Sequence, residues 1–404
     1  MNPSQMKKTC RRLGIGVVMS VIFLFLLEMA LQIIHLSSLI ASDPGNFINT
    51  ERLKQVSVPR KIEDPVLGHR PNPDFLEHDA KGFRNAGVPE PGQVDLVALG
   101  DSQTYGANVH RTEAWPQQLE GLTGLRVYNL SFGGYSPAHY LFLIDEALAF
   151  KPKKVITAVY FGNDILESFL FASREQHRKR FSPKDPQRFE QAIRMEKETP
   201  ITRKVNLTSR NPESFLAYEN TSLQQRLARN LKTVQYAMEL RKWFTGRSTS
   251  PCGDEANNMP SHAAPSVLTP QYRLLTLDQR DIRVQEGLRI TQEALATLDE
   301  TLNQSGVDHL VMLIPTKERV YEELVLKASP TEAFLNLMEN EKWAHDALID
   351  FMRGKNIAHL SLLPALKKSL WVGKTPYQNS NDGHPSREGQ RAIAECIADY
   401  FAKG

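Results

Sequence analysis

The chain reads as an α/β protein with a central parallel sheet covered by helices on both faces. Three observations predict this. Apolar runs of strand length alternate with helical patterns from residue 94 to the C-terminus, as expected of βαβ units. The first run, Val94-Asp95-Leu96-Val97-Ala98-Leu99, ends in the glycine turn Gly100-Asp101-Ser102-Gln103-Thr104-Tyr105-Gly106, a strand leading into a helix start. The composition is globular, with 41% hydrophobic and 24% charged residues, and 404 residues suffice for one large or two ordinary domains.

Ahead of the sheet lies an apolar stretch. Residues 13–35 are apolar apart from a few positions, Glu28 and Gln32 among them, and spanning a bilayer takes roughly 20 mostly apolar residues. Lys7, Lys8, Arg11 and Arg12 precede the stretch, and no charge follows Glu28 until Asp43. The positive-inside rule then makes 1–12 a cytoplasmic tail and 13–35 a transmembrane signal anchor, with the rest of the chain periplasmic or extracellular. A cleaved signal peptide fits less well, because Leu39 occupies a small-residue position before the only candidate cut. Glu28 is costly in hydrocarbon and is expected near the outer interface or against a partner helix.

Residues 36–93 form a loop-rich lead-in. Strands are expected at 94–99, 125–130, 154–161 and 308–314, with a weaker one at 357–362. Helices are expected near 115–122, 137–149, 283–304, 333–353 and 386–402. Residues 171–280 break the rhythm: Arg174 to Lys184 is basic, and Arg247 to Pro270 is rich in Ser, Pro, Asn and Gly. A structureless loop of that length is improbable inside a compact core, so this segment reads as a helical insertion followed by a mobile linker. The sheet-bearing body is then 94–170 with 281–404. Of the three cysteines, Cys10 would be cytoplasmic and Cys252 and Cys396 could pair outside. Cys396 sits among Ile393, Ile397, Tyr400 and Phe401 at helical spacing, which favours a buried free thiol.

A net charge of +3 gives no reason to expect a nucleic-acid partner. There is no C-x-x-C and no His/Cys cluster at zinc-ligand spacing, so neither metal nor organic cofactor is expected.

Four motifs sit at strand ends or helix starts. Ser102 follows the first strand. Asn129-Leu130-Ser131-Phe132-Gly133-Gly134-Tyr135 ends the second, Phe161-Gly162-Asn163-Asp164 the third, and Asn381-Asp382-Gly383-His384-Pro385 precedes the last helix. Ligands of open α/β sheets bind at the carboxyl ends of the strands, and a serine at a helix N-terminus has unpaired backbone N–H groups beside it. Taken singly, Ser102 also fits a helix cap, Asn163 a turn and Gly134 a left-handed position. Trp115 and Tyr135 fit core or site wall equally.

These four blocks, in this order, resemble those of the SGNH hydrolases, the GDSL-type serine esterases. The resemblance covers about 94–170 and 283–402. It implies a three-layer α/β/α flavodoxin-like sandwich, here with an N-terminal transmembrane helix and an insertion added. It implies Ser102 as nucleophile, His384 as base, and an oxyanion hole made by the Ser102 and Gly134 backbone N–H groups with the Asn163 side chain. The family usually places its aspartate three residues before the histidine, where this chain has Asn381. Asp382, two before, is the expected orienting carboxylate, with a backbone carbonyl as the alternative. Asp101 and Asp164 are expected to accept hydrogen bonds from turn amides, with Asp101 pointing away from the nucleophile. Pro315-Thr316-Lys317-Glu318-Arg319-Val320-Tyr321 resembles a segment of proteins of alginate O-acetylation and reads as cleft lining or as a strand-ending turn.

The expected activity is ester hydrolysis through an acyl-serine intermediate, on an ester-bearing small molecule, or on O-acyl groups of a cell-surface glycan or lipid. Two rivals share much of this pattern. One is an O-acyltransferase that uses the same triad to acetylate an exopolysaccharide; the other is a non-catalytic, membrane-tethered glycan-binding or scaffold protein.

Overall fold

The computed structural model describes residues 58–183, 186–201, 266–327 and 330–403. The expected cytoplasmic tail and anchor, Cys10, Cys252 and most of the expected linker lie outside them. Among the described residues no helix is long and apolar enough to cross a membrane.

The described lead-in begins with a two-stranded antiparallel ribbon, β1 (Lys61–Asp64) and β2 (Gly68–Pro71). The central sheet holds five strands: β3 (Leu96–Gly100), β4 (Val127–Ser131), β5 (Lys154–Tyr160), β6 (Asp308–Ile314) and β7 (His359–Ser361). Every adjacent pair is parallel, in the order β4-β3-β5-β6-β7. β3 and β4 are buried throughout and β5 and β6 all but their first residue, which explains their near-continuous apolar sequence. This is the flavodoxin-type strand order.

Between β3 and β4 come α1 (Ser102–Tyr105) and α2 (Trp115–Thr123). The expected 137–149 helix divides into α3 (Pro137–Tyr140) and α4 (Ile144–Ala149), joined by a turn. After β5 follow α5 (Asp164–Ala172), α6 (Arg178–Phe181), α7 (Gln187–Glu198), α8 (Pro270–Leu277) and α9 (Ile282–Gln304). After β6 come α10 (Lys317–Val320), α11 (Glu322–Leu326) and α12 (Glu332–Lys355), and after β7 come α13 (Leu363–Trp371) and α14 (Arg387–Lys403).

The step from β3 to β4 runs opposite to every later step across the sheet. Because parallel crossovers are right-handed, the α2 layer and the later crossover helices cover opposite faces. Packing agrees: α2, α13 and α14 form one layer, while α3, α5, α9 and α12 form the other. Cys396 lies half-buried on α14, as a free thiol.

The ribbon is tied down by residues just past α5. Arg174 donates to the Leu67 carbonyl at 3.0 Å, and the His177 ring meets the Val66 carbonyl at 2.8 Å. His177 stacks on Phe171, Phe171 lies against His139, and His139 stacks on Tyr135. Tyr135 packs against His69 of the ribbon and donates its hydroxyl to the His69 carbonyl at 3.0 Å. Trp115 and Tyr135 are wholly buried, so both belong to the core.

Candidate active site

The strand order reverses between β3 and β5, and sheets of this kind bind ligands at the carboxyl ends of the strands at such a point. Ser102 is the first residue of α1 at the end of β3. The helix cap is Asp101, whose Oδ1 accepts from the Gln103 N–H at 2.8 Å. The hydroxyl of Ser102 is therefore not needed as a cap. The turn is tight: a Cβ on Gly100 would stand 2.1 Å from the Thr104 hydroxyl, so any larger residue would force α1 away from β3.

The Ser102 hydroxyl donates to His384 Nε2 at 2.8 Å, and His384 Nδ1 donates to Asp382 Oδ1 at 2.6 Å. The same carboxylate oxygen accepts the His384 backbone N–H at 2.7 Å, which fixes both the ring and its tautomer. Asn108 donates its side-chain amide to Asp382 Oδ2. Burial pushes the Asp382 carboxyl upward, but the hydrogen bonds from His384 and Asn108 and the nearby imidazole outweigh it. The group sits well below the ordinary carboxylate range. The short Asp-x-His spacing thus brings Asp382, not a backbone carbonyl, onto the imidazole. His384 caps nothing, since Ser386 takes the Gly389 N–H at 3.3 Å.

Asp101 departs from the orientation expected of it. Besides capping α1, its Oδ2 comes within 3.3 Å of the Ser102 hydroxyl. Burial raises it to about 6, against the Gln103 N–H and the His384 ring, which pull the other way. Asp164 accepts the N–H of Tyr160, the last residue of β5, at 2.9 Å, a strand amide where a turn amide was expected.

Asn163 occupies the capping position of α5, yet its side chain makes no capping bond and has no hydrogen-bond partner among the described residues. Its amide is left for another acceptor. Gly134 has φ +81°, a backbone conformation that favours glycine. A Cβ there would meet the His69 ring at 3.5 Å, and one on Gly133 would stand 3.7 Å from Ser102 Cβ. The Gly133-Gly134 turn thus runs beside the serine. His69 Nε2 is bonded to the Gly133 carbonyl at 2.9 Å, and burial lowers the pKa of that ring. The Asn129 amide donates to the Thr104 carbonyl at 3.0 Å, joining the end of β4 to α1.

Three residues near the site, Asn108, His69 and Arg273, carried no signal in the sequence, whereas Lys317 lies in the Pro315–Tyr321 segment singled out above. Asn108 sits in the turn after α1 and His69 in the ribbon strand β2, and only the fold brings either to the site. Lys317 is buried beneath the Asp382 loop rather than lining the cleft. The buried Arg273 on α8 places its guanidinium 3.5 Å from the Gly162 carbonyl. Among the described residues no group of three or more His, Cys, Asp or Glu side chains is arranged to hold a metal ion.

No family model matches the chain, and no curated protein matches it. Several solved structures are similar to it. A putative lipolytic protein of the G-D-S-L family from Desulfitobacterium hafniense is 14% identical, over 75% of this chain and 97% of that one, with a TM-score of 0.36. The esterase EstA from Pseudoalteromonas sp. is 10% identical over 76% and 97%, with a TM-score of 0.33. The acetylxylan esterase Axe2 from Geobacillus stearothermophilus is 10% identical over 77% and 94%, with a TM-score of 0.35.

Proposed function

We propose that this chain is a serine ester hydrolase of the SGNH type, acting through an acyl-serine intermediate. The observation that carries the reading is the unbroken hydrogen-bonded chain Ser102–His384–Asp382 at a helix start. A serine hydroxyl is a poor nucleophile without an adjacent base. Ser102 Oγ attacks the ester carbonyl while its proton passes to His384 Nε2, and Asp382 stabilises the imidazolium that forms. The oxyanion is held by the Ser102 and Gly134 backbone N–H groups and the Asn163 amide. The bond to the alkoxy oxygen then breaks, and His384 returns the proton to the leaving alcohol. A water molecule deacylates Ser102 by the same route.

The substrate class we propose is an O-acyl group on a cell-surface glycan or lipid. Two sequence features support it. The basic-flanked apolar segment 13–35 would tether the catalytic part to the outer side of a membrane, and Pro315 to Tyr321 resembles a segment of alginate O-acetylation proteins.

The test uses the full chain and its Ser102→Ala variant. The wild type should hydrolyse a short-chain aryl ester and label at Ser102 with a fluorophosphonate, and the variant should do neither. Equal inertness of both toward a broad ester panel and the probe overturns the reading. With an acetyl donor and oligosaccharides, free acetate supports hydrolysis and acetylated sugar supports transfer.

A further inference from the structure

Lys317 is the first residue of α10, immediately beyond β6, and only 1% of it is exposed. A buried ammonium is costly unless its donors are satisfied. Here they are spent on one loop: Nζ donates to the carbonyl of Ser380 at 2.7 Å and to that of Asp382 at 2.8 Å. Such charge-assisted bonds are roughly twice as strong as neutral ones. The loop between Tyr377 and Pro385 contains no helix or ladder of its own and is closed at its neck by a single bridge between those two residues. Its other ties to the described residues are the Ser266 hydroxyl on the Gln378 carbonyl at 3.2 Å, the Asn108 amide on Asp382 Oδ2 and the Ser102 hydroxyl on the His384 ring, and none of these holds the backbone on either side of Asn381.

The lysine itself is mounted rigidly. The Thr316 N–H donates to Glu341 Oε1 at 2.9 Å, and its hydroxyl accepts the Arg319 N–H at 3.2 Å. Neighbouring charges oppose one another: Glu318 and Asp382 favour the cation and Arg273 disfavours it, while burial is the largest influence and brings Lys317 down to about 8.

We propose that Lys317 is a positioning residue, which clamps the backbone on either side of Asn381 and so holds Asp382 and His384 in register with Ser102. Its kinetic consequence rests on the esterase reading. Misplacing a catalytic group by an ångström can cost about a hundred-fold in rate. Lys317→Met keeps the length of the side chain but loses both donors.

In the full chain, Lys317→Met should lower kcat about a hundred-fold with KM within about two-fold of wild type. It should also erase the downfield proton resonance of the His384 Nδ1–H···Asp382 bond in the nuclear magnetic resonance spectrum. Lys317→Gln, which keeps an amide donor, should fall between the two and decides the matter if the methionine variant does not fold. Wild-type kcat together with an unchanged His384 resonance in the folded variants overturns the proposal. A wild type that neither turns over ester nor labels at Ser102 refutes the esterase reading instead, and the resonance alone then decides the role of Lys317.

Discussion

The side-chain amide of Asn108 donates to Asp382 Oδ2, the oxygen that His384 leaves free, across 274 positions of sequence. Asn108 sits in the turn after α1 with φ +67°, a conformation asparagine tolerates better than most residues. The loop that presents the serine thereby also steadies the carboxylate. Asn108→Ala should lower kcat/KM about ten-fold, the scale of one hydrogen bond to a charged group. A double-mutant cycle checks this: in an Asp382→Ala background the same change should have no further effect.

Asp382 fixes the tautomer of His384 through Nδ1 and anchors its backbone N–H through the same oxygen. Asp382→Asn keeps the shape but presents a weaker, uncharged acceptor. A rate loss of about 10⁴ in kcat is expected, the scale of the corresponding change in serine proteases. Fluorophosphonate labelling of Ser102 should slow in parallel. Full activity in the variant would show that the carboxylate does not orient the ring.

Asn163 makes no structural hydrogen bond through its side chain, so its loss should be felt in catalysis and not in folding. Asn163→Ala should reduce kcat about 10²–10³-fold, as removal of an oxyanion donor does, with the midpoint of urea denaturation unchanged. A fall in that midpoint without a kinetic defect would assign the residue to the α5 turn.

Stability should decline between about pH 4.5 and 7 because of buried carboxyls. Burial raises Glu341 to about 7, against hydrogen bonds from the Thr316 hydroxyl and N–H and the charge of Arg319. Burial also raises Glu167 to about 7. In this window the folded chain still holds protons that the unfolded chain has released, so unfolding free energy falls as pH rises. Below the unfolded pKa the penalty is absent, and above about 7 it is complete. For Glu341 it amounts to about 3 kcal/mol. Urea denaturation at pH 5 and pH 8 should show wild type losing more stability than Glu341→Gln. Equal losses would assign the effect to other groups.

The sequence by itself determined the sheet and the places along it where the candidate site residues stand. Apolar runs buried on both sides report parallel strands directly, so β3 to β6 are legible to within two residues and even the short β7 is visible. Ser102, Gly134, Asn163 and His384 are legible because each stands at a strand end or before a helix, and a parallel sheet collects such places on one edge. The tertiary structure alone decided which of these groups meet. Asp382 meets His384 along the path of the 377–385 loop, which receives hydrogen bonds from Lys317 and Asn108 and is closed by the bridge between Tyr377 and Pro385. The second carboxylate beside the serine, Asp101 Oδ2, follows from the geometry of the cap and not from its place in the turn. His69 reaches the Gly133 carbonyl from a ribbon 64 residues earlier in the chain. Periodicity records which side of an element is buried. It holds no record of contacts between loops, because these are fixed by hydrogen bonds across long stretches of sequence.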